Sequence, residues 1–61
     1  MLLRMIEKFL RQHEMPPTTF GRASVRDPRL VFDLRGGREP GDRIKRRIVH
    51  FMNTYRRSVG Q

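Results

Sequence analysis

The sequence predicts an all-α fold, a compact domain of four helices spanning residues 1–61. Three observations point there. Apolar residues recur at helical spacing in a stretch near each end of the chain, prolines and glycines punctuate the middle at short intervals, and no run alternates apolar with polar residues as a half-buried strand does. A chain of 61 residues has room for one small core, and its stability margin is expected to be thin.

The first helix is predicted over residues 2–13. Leu2, Ile6, Phe9 and Leu10 fall on one stripe, while Arg4, Glu7, Lys8, Arg11 and Gln12 fill the other side. Pro16 and Pro17 stop it. Because proline has no N–H to lose in a first helical turn, Pro17 also suits the start of a second helix, over residues 17–24. The triplet Arg26-Asp27-Pro28 is the clearest local signal. Asp27 can accept free backbone N–H groups as an N-cap, and Pro28 brings the φ of a first helical residue, so a third helix is predicted over 28–35. Gly36-Gly37 ends it through a left-handed C-terminal turn. After Arg38-Glu39-Pro40, apolar Ile44, Ile48, Phe51, Met52 and Tyr55 give the strongest helical period in the chain, and a last helix is predicted over 41–57. Asp42 near its start and Arg56-Arg57 near its end both complement the helix dipole, and Ser58–Gln61 is expected to fray.

Charge narrows the function. Fourteen lysines and arginines, twelve of them arginine, face six acidic residues for a net charge of +8. Such an excess attracts polyanions, and nucleic acid is the first candidate. Arginine's planar fork suits phosphates and guanine edges, although a GC-rich genome also inflates arginine. With no cysteine there are no disulfides or thiolate sites, which fits a reducing cytoplasm. His13 and His50 lie far apart without partners at ligand spacing, so neither metal nor cofactor is expected. No run approaches the length of a membrane span, and Arg4 and Glu7 interrupt the apolar start before it could form a signal peptide core. No carboxylate pair, nucleophile with a base, or phosphate loop marks an enzyme.

Two short helices joined by a tight turn and flanked by longer ones give the residues a familiar order. Thr18-Thr19-Phe20-Gly21-Arg22, followed by Asp27 through Arg38, resembles the small phage Cro and repressor type of helix-turn-helix protein. The same residues are similar to prophage-related regulators of alphaproteobacteria with F-G-R, D-P and L-R-x-G-R signatures. The likeness extends over about residues 17–55. In that family an apolar and then a small residue stand where Phe20 and Gly21 do, and the second motif helix packs through apolar residues three apart, matching Val31 and Leu34. The glycine usual in the turn is missing, with Ser24-Val25-Arg26 in its place.

The resemblance implies a bacterial transcriptional regulator, a repressor for instance, that binds double-stranded DNA with the third helix in the major groove. With Val31 and Leu34 turned to the core, Arg29, Phe32 and Asp33 face the groove. Arg29 can donate to guanine O6 and N7, Asp33 can accept from cytosine N4 or orient Arg29, and Phe32 can touch a thymine methyl. Thr18, Thr19, Arg22, Arg26, Arg38 and Arg43 are the expected phosphate contacts. Plainer alternatives stand beside these roles: Arg29 and Asp33 as a solvated i,i+4 ion pair, Phe32 as core, and Arg43, Lys45, Arg46 and Arg47 as a solvated helix face. The expected setting is the cytoplasm, in association with the nucleoid, as a homodimer paired through the terminal helices. A second reading is a small non-enzymatic interaction module, a phage-type inhibitor or adaptor that docks on RNA polymerase or another regulator, using the apolar first helix.

Overall fold

The computed structural model describes the backbone of residues 2–59 and the side chains of residues 2–55. All regular structure among them is helical: α1 (Leu2–Gln12), α2 (Pro17–Val25), α3 (Leu30–Arg35) and α4 (Asp42–Val59). The four-helix expectation therefore holds, and the differences lie at the ends of elements.

Each boundary has a local cause. Beyond α1, Glu14 takes a left-handed conformation with φ 49°, and the Met15 N–H donates back to the Leu10 carbonyl at 2.9 Å. This closes the helix in the manner of a Schellman turn, one residue before the two prolines. Pro16 is the N-cap of α2 in extended conformation, its carbonyl accepting from the Phe20 N–H at 3.1 Å. At the far end of α2, Arg26 is again left-handed, φ 59° and ψ 32°, and the Asp27 N–H reaches the Gly21 carbonyl at 3.0 Å.

The start of α3 departs from expectation. The N-cap of α3 is Arg29, without a side-chain cap bond, and not the expected Asp27, whose Oδ1 does accept the Arg29 N–H at 3.0 Å as an Asx turn ahead of the helix. However, the Leu30 N–H bonds to the Asp27 carbonyl three residues back, at 3.1 Å, so the chain enters through a tighter turn. The α-helix proper begins at Leu30 and not at Pro28. Its end matches the glycine signal, for Gly37 has φ 100° and its N–H donates to the Leu34 carbonyl at 3.1 Å. In α4 the helix runs on through Ser58 and Val59, two residues past the predicted end. Gly60 and Gln61, the rest of the expected fraying tail, lie outside the described residues.

The core draws on every helix: Ile6, Phe9 and Leu10 from α1, Phe20 from α2, Leu30, Val31 and Leu34 from α3, Ile48 and Met52 from α4. Ile6, Phe20, Val31 and Ile48 are fully enclosed. Rings fill the space between α1, α2 and α4. Phe9 meets Phe20 edge-on at 5.5 Å and Tyr55 at 5.4 Å, and Phe20 meets Phe51 at 5.3 Å. These separations and tilts are the favourable ones for aromatic pairs. Met52 and Tyr55, part of the apolar period that predicts the last helix, both pack into this cluster.

Candidate nucleic-acid interface

The α2–turn–α3 unit is held together by close backbone approach. Gly21 is buried, and a β-carbon added there would collide with the Asp27 carbonyl oxygen. Absence of a side chain at Gly21 is therefore what lets the turn fold back across α2. One helical turn on, the Ser24 hydroxyl is buried and satisfied by donating to the Phe20 carbonyl at 2.7 Å. Leu30, Val31 and Leu34 then anchor α3 from below. The missing turn glycine also has an account, since Arg26 itself adopts the left-handed conformation that glycine usually supplies.

Six residues make α3, and burying three of them leaves a narrow outer face. Arg29 at its entry is exposed, as is Phe32, at 50 %. Placing Phe32 in the core is therefore incorrect: Leu30, Val31 and Leu34 already occupy the inner face, and a residue between them must point away. The exposed ring is braced, with the Arg35 guanidinium carbon 5.8 Å from its centroid. Arg35 is fixed in turn by a bidentate pair to Glu7 of α1, Nε to Oε2 at 2.7 Å and Nη2 to Oε1 at 2.8 Å. The guanidinium donating to it holds the Glu7 carboxyl below the usual carboxylate range. A chain of contacts thus runs from α1 through Arg35 to the outer face of α3.

Asp33 is half-buried and pairs with Arg38 at 2.8 Å, not with Arg29. Arg38 is thus partly neutralised, while Arg29 has no ion pair among the described residues. Of the remaining expected phosphate contacts, Thr18, Thr19, Arg22 and Arg26 are exposed on α2 and its turn. Thr18 and Arg22, four apart, share a face of the helix, and Arg26 follows another four on. Arg43 is exposed in the first turn of α4, and Lys45, Arg46 and Arg47 are exposed beside it.

Sequence reasoning missed the Glu7–Arg35 pair, whose members are 28 residues apart, and also the partner of Asp33. Local spacing carries no signal for the first. The second could have been found by noting that Gly36-Gly37 turns the chain back, which brings residue 38 beside residue 33. No helix among the described residues is long and apolar enough to cross a membrane. No protein-family model matches the chain, nor does any curated protein or solved structure show significant similarity to it.

Proposed function

We propose that the protein binds double-stranded DNA in a sequence-specific manner and acts as a transcriptional regulator, with α3 entering the major groove. The observation that carries this reading is the α2–turn–α3 unit closed over Gly21, which leaves Arg29 and a braced Phe32 exposed on α3 and its entry and Arg22 and Arg26 exposed on α2 and its turn. A short helix with its N-terminal residues toward base edges, preceded by a helix that lies across the backbone, is a geometry that reads duplexes. A charge of +8 adds the sequence-independent attraction that brings such a protein to DNA.

Roles divide by position. Arg29 reads guanine through its fork, and Phe32 offers an apolar edge to a thymine methyl. Asp33, tied to Arg38, sets the position of that arginine and is less available to a cytosine. Thr18, Thr19, Arg22, Arg26, Arg38 and Arg43 hold phosphates and fix the register.

Selection of bound sites from a random duplex pool tests the reading directly, and a single enriched motif at about 0.15 M salt is the expected result. Arg29→Ala should relax preference at one base pair, by about 1–3 kcal/mol of discrimination, whereas Arg22→Ala should weaken all duplexes alike. A pool that binds without enrichment would remove the specific reading, and no binding at low salt would remove DNA altogether.

A further inference from the structure

Between α1 and α4 lies a groove of about 260 Å³ that the DNA-binding reading does not use and to which α3 contributes nothing. Its origin is the ring packing below it. Phe9 stands against Phe51 at 6.0 Å and against Tyr55 at 5.4 Å, so the two helices meet through bulky side chains and leave a trough above them. Phe9 and Met52 line the floor. Met5 and Val49 also line it and are exposed, 52 % and 38 %, two of the large apolar side chains that this chain leaves in water.

The charge around the trough has one sign. Lys8 stands on the α1 side, and past Val49 and Asn53 the surface continues to Lys45 and Arg46 on the α4 side. Among the described residues, no acidic side chain lines either stretch. The nearest acid on α1 by sequence, Glu7, is occupied by Arg35 on another side of that helix. An apolar floor between cationic rims is unlike a phosphate-binding surface, where exposed methionine and valine contribute nothing. A second copy of the chain would bring the same cations face to face, a like-charge juxtaposition that disfavours pairing.

We infer that the α1/α4 groove is a docking site for an acidic amphipathic helix of a partner protein, with its apolar stripe on Met5, Phe9, Val49 and Met52 and its carboxylates toward Lys8, Lys45 and Arg46. From Met5 to His13 the α1 wall is about 12 Å long at 1.5 Å per residue, which accommodates about two turns of helix. Anchors at i, i+4 and i+7 lie along such a wall. Methionines on wall and floor, Met5 and Met52, supply an adaptable apolar surface. A regulator of this size thereby has a second surface, separate from α3, through which a protein can be bound while DNA is held.

The test uses the full chain and a fluorescein-labelled synthetic peptide of about 16 residues, with leucines on one helical face and glutamates on the other, read by fluorescence anisotropy at about 0.15 M salt. A scrambled peptide of identical composition is the control for simple charge attraction. The patterned peptide should bind at least about tenfold more tightly than the scrambled one, and Met5→Ser with Val49→Ser should remove about that factor. Lys8→Glu, on the surface of α1, should weaken binding by about threefold or more and keeps the test decisive if the double variant loses helicity by circular dichroism. Arg29→Ala should leave peptide binding within about twofold, so that failure of the DNA reading and failure of this one are told apart. Equal binding of the two peptides would overturn the proposal, as would groove variants that bind undiminished. A dimer seen in sedimentation that Met5→Ser dissociates would overturn it too, by giving the groove to a second copy.

Discussion

Two residues of the α2–α3 turn carry opposite constraints. Gly21 must lack a β-carbon because the Asp27 carbonyl lies against it, and backbone cannot rotate aside as a side-chain tip can. Gly21→Ala should therefore destabilise by about 1–3 kcal/mol, in spite of alanine's better helix propensity, as measured by urea unfolding. Arg26 is the reverse case, an L-residue held at φ 59° where its own β-carbon crowds the following carbonyl. Arg26→Gly should stabilise by up to about 1 kcal/mol and, on the proposed DNA reading, lower affinity for all duplexes alike, because the proposed phosphate contact is removed as the strain is relieved. Improvement in both properties, or loss of both, would contradict the division of roles. The sequence made Gly21 legible as the small residue after Phe20, but no arginine announces a left-handed backbone, and so the turn read as lacking its glycine. Phe32 was undecidable for a related reason. On a helix of six residues, a shift of one position in register exchanges core for surface, and only the burial of Leu30, Val31 and Leu34 resolves it.

Among elements, α3 is joined to α1 by one polar tie, the pair of Arg35 and Glu7, and to the core by its three apolar side chains. Periodicity located α1 and α4, and proline, Asp27-Pro28 and glycine signals located α2 and α3, because both depend on neighbours within a turn or two; this tie bridges 28 residues and left no trace in spacing. Its pH dependence follows from the direction of the Glu7 shift. A carboxyl whose folded value lies below its unfolded value contributes stability that is fully present above the unfolded value, and the contribution is lost as pH falls through the folded one. Thermal midpoints of the protein and of Glu7→Gln should thus differ at about pH 7 and converge as the pH drops below the usual glutamate range near about 4.3. A gap that does not narrow as the pH falls below that range would mean that the variant acts through packing and not through charge. The same variant should loosen the brace on Phe32 and leave Arg29 untouched, so any loss of sequence preference should fall at the base pair proposed for Phe32.

For the whole molecule, the net charge of +8 sets stability against the affinity for DNA proposed above. Cations spread over α1, α2 and α4 repel one another across a body whose radius of gyration is 10.8 Å, comparable with the Debye length of about 10 Å at 0.1 M salt. Below that ionic strength nearly every pair of like charges is felt, and above it only neighbours are. Screening should raise the thermal midpoint by a few degrees, roughly the effect of about 0.5–1 kcal/mol on a domain of this size, between about 0.02 and 0.3 M salt. Over the same range duplex affinity should fall, and if Arg22, Arg26, Arg38 and Arg43 each neutralise one phosphate, the logarithmic slope should be about −3.6. A shallower slope, of about −2.7, is expected if the Asp33 pair keeps Arg38 from a phosphate, and Asp33→Asn should then restore the steeper one. The groove between α1 and α4 responds differently, because its apolar floor is insensitive to salt while its rims are not. Peptide binding there should lose only about one to two powers of ten over that range, which makes ionic strength a means of separating the two surfaces in one preparation.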